Sequence, residues 1–244
     1  MAWDLGANLG YGRAVSGTHP LDRPILAMLT GARQANLAIV RAGARRLAPA
    51  YGVFAALSDE TPESREALGA MVREMGDVAL VEPQEPPAIP GARVVSKDMA
   101  WQMIAEAAFG SFPTTNVDIV DLGPGDAADM LGLATLTQPG PFMARTPELG
   151  DFVGVKAEGR LVAMAGERMK PDGMTEVSGV CTDPEYRGRG YAAALMRVVM
   201  ERIRARGEVP FLHAYAANTG AIAIYERLGF RFRRELVMTR LTAA

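Results

Sequence analysis

Residues 184–192 read PEYRGRGYA and interleave two arginines with two glycines where strand-like sequence, TEVSGVCT, gives way to helix-like sequence. Arg187, Gly188, Arg189 and Gly190 lead into that helix, so the unpaired N–H groups of its first turn face the loop and the macrodipole adds partial positive charge there. Glycines lack a Cβ and let a phosphate approach the backbone, while the two guanidinium groups add charge-assisted hydrogen bonds. The chemistry on offer is anion binding; the alternative is a turn whose arginines stay solvated. GRGYAA also fits the G-x-G-x-x-A form of the dinucleotide fingerprint. Two features oppose that reading. DPEYR separates the strand from Gly188, and PFLHAYAANTGAIAIY offers no Asp or Glu before Glu226 to hold a ribose. A P-loop is excluded as well, since no Gly-Lys-Ser or Gly-Lys-Thr follows the glycines.

The turn needs a helix behind it and a sheet beneath. Tyr191, Leu195, Val198, Val199, Arg202 and Ile203 fall on one face of a helix over about 190–206, apolar but for Arg202, with Gly207 at its left-handed stop. Strands are expected at DIVDL, near 151–157, 160–168 and 174–182, at PFLHAY, and from Phe230 to about Leu241. Glu158 and Gly159 make a hairpin turn between two of them, GDAADMLGLATL reads as a helix, and a short helix runs to Leu228 before Gly229 stops it.

Composition narrows the setting. The chain has 244 residues, 49% of them hydrophobic, enough to bury a core in one or two domains. A formal net charge of -2 gives no reason to expect nucleic acid or an anionic membrane as partner. The opening MAWDLGANLGYGRAVSG lacks a basic flank before an apolar core, and no run approaches the roughly 18 apolar residues of a membrane span, so a cytoplasmic location is expected. One cysteine, Cys181, excludes an internal disulfide, and two histidines, His19 and His213, leave little for a transition-metal site; no metal is expected.

VCTDPEYRGRGYAAALM followed by NTGAIAIYERLGF resembles the two signature motifs of the GNAT N-acetyltransferase superfamily. The match is R-x-x-G-x-A at Arg187, Gly190 and Ala192, then Asn218 and Tyr225 seven residues apart ahead of Leu-Gly-Phe. The resemblance covers roughly 116–244. It implies acetyl-CoA as acyl donor, with the pyrophosphate on the amides of Arg187, Gly188, Arg189, Gly190, Tyr191 and Ala192. The pantetheine arm would run beside Val180, Cys181 and Thr182 like an added strand. It implies an N-acetyltransferase acting on a primary amine of a small molecule or peptide by direct attack in a ternary complex.

Glu176, six residues before Thr182, matches the acidic position that family members use as base or amine anchor; otherwise it is an exposed strand residue. Tyr225 matches the general acid; otherwise it is a core tyrosine. A phenol near 10 protonating a thiolate near 8.5 works uphill by about 1.5 units, roughly 2 kcal/mol, so transfer is late or the phenol is acidified. Asn218 bonds the pantetheine amides or simply caps the helix. Cys181 reads as a small buried residue and His213 as a satisfied strand histidine, with substrate contact the other reading. A non-catalytic acyl-CoA sensor would keep RGRGYA without needing Glu176 or Tyr225, and a bare anion site would need neither the Asn218–Tyr225 spacing nor the coenzyme. The acceptor and the oligomeric state are not legible.

The first 115 residues give RPILAMLTGARQ, NLAIV, ARRLAP, YGVFAAL, TPESREALGAMVREMG and DVALVEP, or helix, three strands, helix and strand. This is the order of the core of the second half. The expected architecture is α/β with a mixed sheet: a GNAT-like catalytic domain over 116–244 after a smaller α/β domain over 1–115, with a degenerate repeat one reading of the latter. EPPAIPG (85–91) is a second place for the boundary, but GSFPTTN (110–116) is preferred. The helix after YGVFAAL starts TPESRE, acidic and without glycines, so this half should not hold coenzyme A. Thr61 or Asp59 caps it and Pro62 suits its first turn. The layout also resembles the glycine N-acyltransferase-related branch of the family.

Overall fold

The computed structural model describes residues 19–105 and 116–244. The opening segment read for a leader, and most of the 110–116 connection, lie outside the described residues. The first half comprises α1 (Pro24–Thr30), β1 (Ala38–Arg41), β2 (Ala44–Leu47), β3 (Ala55–Leu57), α2 (Pro62–Met75), β4 (Val78–Glu82) and β5 (Ala92–Ile104). The second comprises β6 (Val120–Leu122), α3 (Ala127–Thr137), β7 (Phe152–Ala157), β8 (Arg160–Glu167), β9 (Met174–Thr182), α4 (Tyr191–Ala205), β10 (Val209–Tyr215), α5 (Thr219–Arg227) and β11 (Arg231–Ala243). Among the described residues no helix is long and apolar enough to cross a membrane.

β1, β2 and β3 form a small antiparallel sheet, and the other eight strands form one mixed sheet in the order β4-β11-β5-β10-β9-β8-β7-β6. The expected division at residue 115 does not divide this sheet. β5 comes from the first half yet lies between β10 and β11, while β11 comes from the second half and pairs with β4. Each half gives its last strand to the other. The element order of the first half follows that of the second, a helix, three antiparallel strands, a helix, a strand and a long exchanged strand, without counterparts of β6 and α5. Even the parallel contact of β9 with β10 recurs, as a single bridge from Phe54, beside β3, to Ala79 of β4.

The strand that matters most for the site is β9. It pairs with β10 only at Met174–Val209, Thr175–Pro210 and Glu176–Phe211. Past those rungs β9 keeps to β8 and β10 keeps to β5, so the two strands part into a fork. α4 packs across the sheet beside it through Leu195, Met196, Val199, Met200 and Ile203, each buried. Each such side chain contributes about 1.5–3 kcal/mol of hydrophobic stabilisation. The buried stripe is turned slightly from the expected one: Met196 and Met200 are inside, Val198 is half-buried, and Arg202 leaves the stripe to pair with Asp121. A helix lying on a sheet buries two adjacent rows, which explains the turn.

Local punctuation follows the expected residues. Glu158 and Gly159 both adopt positive φ, 51° and 77°, as the two-residue hairpin between β7 and β8 requires. Gly207 and Gly229 are left-handed past α4 and α5. Thr61 caps α2 by accepting from Ser64 N, with Asp59 accepting in turn from Thr61.

Candidate active site

α4 begins without a side-chain cap. Gly190 occupies the N-cap at φ 79° and Gly188 precedes it at φ 77°, both in the left-handed region that favours glycine. Thr61 Oγ1 satisfies the start of α2 and Asn218 Oδ1 that of α5, whereas the first turn of α4, like those of α1 and α3, has no side-chain acceptor at its cap. The first-turn N–H groups of α4 face a cleft of about 750 Å³ that opens where β9 and β10 part.

Every expected coenzyme residue lines this cleft: Val180, Cys181 and Thr182 from the edge of β9 that β10 leaves open, Arg187, Gly188, Arg189, Gly190, Tyr191 and Ala192 from the turn and α4, and Asn218 from the start of α5. Tyr225 lines it too. Among the described lining residues three are arginines, Arg187, Arg189 and Arg227, and none is acidic, a charge set suited to phosphate. Arg189 also lies over the Tyr186 ring, 4.7 Å from its centroid, which orders the turn. The far wall, Thr137, Gln138 and Pro139 at the end of α3 together with Tyr215, was not singled out from the sequence. Its one sequence signal is the helix stop at Gln138 before Pro139 and Gly140.

Several alternatives left open resolve in the side chains. Asn218 caps α5, its Oδ1 accepting from Ala221 N at 3.2 Å, while lining the cleft. Cys181 is buried, and burial pushes its thiol up to about 11, with a hydrogen bond to Thr137 opposing only part of the shift; such a thiol is a poor nucleophile. Tyr225 rests edge-on against Phe230, ring centroids 6.2 Å apart, and burial raises its phenol above the usual range, so it is not acidified.

Glu176, expected as base or amine anchor, does not line the cleft. It is fully buried at 0% exposure. Arg168 donates to both its oxygens at 2.8 Å, and His213 Nδ1 lies 2.9 Å from Oε1. Burial alone would push this carboxyl up, but the Arg168 guanidinium and the His213 hydrogen bond outweigh it and hold it at about 2. With neither oxygen open and so little basicity, the geometry opposes a general base here. His213 is a satisfied strand residue that also sits at the fork. Arg168, Gln102 and Arg233, which complete its surroundings, were not singled out from the sequence. Among the described residues no group of three or more His, Cys, Asp or Glu could hold a metal.

In the first half the counterpart of the fork is bridged. Arg23 donates to Leu57 O at the end of β3 at 2.7 Å and to both oxygens of Glu82 at the end of β4, at 2.7 and 2.9 Å. A cleft of about 330 Å³ remains there, lined in part by Glu60, Glu82 and Glu85. Its charge is the wrong sign for a pyrophosphate.

The model of the FR47-like protein family matches residues 152–238, the stretch that builds the fork and its cleft. A crystal structure assigned to the GNAT acetyltransferase family, from Novosphingobium aromaticivorans, is 46% identical to this chain, covering 93% of it and 100% of that chain with a TM-score of 0.85. The N-alpha-acetyltransferase RimI of Mycobacterium tuberculosis is 32% identical over 132 residues, 48% of this chain and 82% of that protein. A GCN5-related N-acetyltransferase from Kribbella flavida shares the fold at 19% identity, with a TM-score of 0.59 over 89% of this chain and 95% of that one. The chain belongs to the GNAT N-acetyltransferase superfamily. It is an acetyltransferase, and enzymes of this family take the acetyl group from acetyl-CoA.

Proposed function

We propose that the protein moves the acetyl group of acetyl-CoA to a primary amine of a small molecule or peptide by direct attack in a ternary complex. One observation carries this reading: the phosphate-binding turn, the open edge of β9 and Tyr225 all line a single cleft at the parting of β9 and β10. The amides of residues 187–192 and the Arg187 and Arg189 guanidinium groups hold the pyrophosphate, and Val180–Thr182 offers an unpaired strand edge to the pantetheine arm. The Asn218 side-chain NH₂ is left to a pantetheine carbonyl, since its oxygen is committed to α5.

The amine nitrogen attacks the thioester carbonyl carbon, the C–N bond forms, the C–S bond breaks, and the departing thiolate takes its proton from the Tyr225 hydroxyl. Because both Glu176 oxygens are engaged, the amine gives its own proton to water. That favours acceptors with an appreciable neutral fraction. An α-amine with pKa near 7.7–8.0 is about one-seventh neutral at pH 7, against roughly one molecule in 2,500 for a lysine-like amine near 10.4. The mycobacterial relative is named an N-alpha-acetyltransferase, which suits an α-amine acceptor.

The test is release of free thiol from acetyl-CoA across a panel of α-amines, amino acids, peptides and polyamines. Release that needs both the protein and one amine class is expected. Tight coenzyme binding without release on any amine would replace the reading with an acyl-CoA sensor.

A further inference from the structure

The fork that admits the proposed pantetheine arm ends in a side-chain bridge. Glu176 stands on the last rung shared by β9 and β10, opposite Phe211, and His213 stands two residues further along β10 on the same face of the sheet. The carboxylate of one and the imidazole of the other meet at 2.9 Å across the first open position of the fork. A contact there limits how far the strands spread and keeps the ladder from closing one rung further.

Both ends of the bridge are held from the first half of the chain. At the Glu176 end, Arg168 supplies the paired hydrogen bonds, and Gln34 clamps the backbone that carries Arg168, its Nε2 donating to Arg168 O and its Oε1 accepting from Lys170 N, each at 2.7 Å. At the His213 end, Nε2 lies 3.1 Å from Nε2 of Gln102, which is fully buried. The orientation of Gln102 is set by its other partners: Oε1 accepts from Arg233 at 2.8 Å and Nε2 donates to Leu21 O at 2.9 Å. The amide therefore presents NH₂ to the imidazole, whose Nε2 accepts, and the ring proton sits on Nδ1 facing Glu176. Arg233 and Arg234 both end on Asp22, at 2.6 and 2.8 Å.

We propose that Glu176 and His213 form a strut that sets the width of the coenzyme fork, and that the first half of the chain holds it in register through Asp22, Arg233 and Gln102. Glu176 is then a positioning residue, and one task of the first half is to hold the cleft of the second at working width. This rests on the cleft being the coenzyme site, so the wild-type protein is first titrated with coenzyme A by calorimetry; absence of binding there overturns the site assignment and the strut's proposed role with it, whereas the variants below test the strut alone.

Glu176→Gln and the remote Asp22→Asn are then compared. Each should weaken coenzyme A binding and raise KM for acetyl-CoA, by roughly tenfold for Glu176→Gln, the equivalent of one hydrogen bond to a charged group, and by less for Asp22→Asn. Most of the change should lie in KM, the pH profile of kcat should not move, and Asp22→Glu should recover affinity. The ratio of rates on an α-amine and a lysine-like amine should also stay constant. A fall in kcat that grows with the acceptor's pKa, with coenzyme affinity intact, would make Glu176 the base and overturn the proposal. Unchanged affinity in Asp22→Asn would remove the link to the first half, and the same variant tests the strut if Glu176→Gln does not fold.

Discussion

In the proposed transfer Tyr225 protonates the departing thiolate, and its surroundings make that harder. Burial raises the phenol's pKa, so it stays protonated through the neutral range but is a weaker donor than an exposed tyrosine, and C–S cleavage must be well advanced before the proton moves. Tyr225→Phe keeps the ring and its contact with Phe230. Coenzyme affinity should hold while kcat falls by about 10- to 1,000-fold, and a thioester whose thiol is markedly more acidic should recover more rate in the variant than in the wild type. Calorimetry and steady-state kinetics on both proteins decide it: intact kcat with weakened binding makes Tyr225 a binding residue, and no change in either makes it a core tyrosine. At this scale the sequence was readable where placement depends on spacing along one helix, as for Asn218 and Tyr225, which line the same cleft. It was misleading at Glu176 because that residue's partners come from register between strands. Arg168 is eight residues back across a hairpin and His213 is 37 residues on, and no local pattern announces that they will close on one carboxylate.

Among the elements, α4 was legible from both ends because its start and stop are fixed by backbone conformation. Gly190 at φ 79° and Gly207 at φ 75° are positions where most side chains are strained. Gly190→Asp adds a side chain beside the first-turn amides and a negative charge facing the proposed pyrophosphate, so coenzyme A binding should disappear in calorimetry. Gly190→Asn has nearly the same shape without the charge and tolerates left-handed backbone better than most residues, so it should bind detectably. Unchanged affinity in the Asp variant would move the phosphate site elsewhere. β5 was illegible for the opposite reason. It is a 13-residue strand at the centre of the sheet, yet its first eight residues show no alternation, since neither face of that stretch is buried. What makes that stretch a strand is pairing with β11, β10 joining only from Ala100 to Ile104, and backbone pairing of that kind leaves no hydrophobic period to read.

For the molecule as a whole, the exchanged strands decide how it unfolds. Cutting the chain at 116 would strip β5 from between β10 and β11, leaving two unpaired edges. It would also take Met103 and Ala105 out of the core that buries Leu195, Val199 and Phe230. We expect residues 116–244 alone not to fold, and the whole chain to unfold in one transition. Trp101 stands on β5, the strand that the first half lends to the second, edge-on to Phe232 of β11, so its fluorescence reports on the shared sheet, whereas the proposed coenzyme cleft lies at the parting of β9 and β10. Coenzyme A at about 100 times its Kd stabilises whatever folding unit binds it by roughly 2.7 kcal/mol. If the shared sheet makes the halves one unit, that ligand should raise the urea midpoint seen by tryptophan as much as the midpoint seen by circular dichroism. A fluorescence midpoint that ignores the ligand, or a separate second transition, would mean that the halves unfold independently despite the strands they exchange.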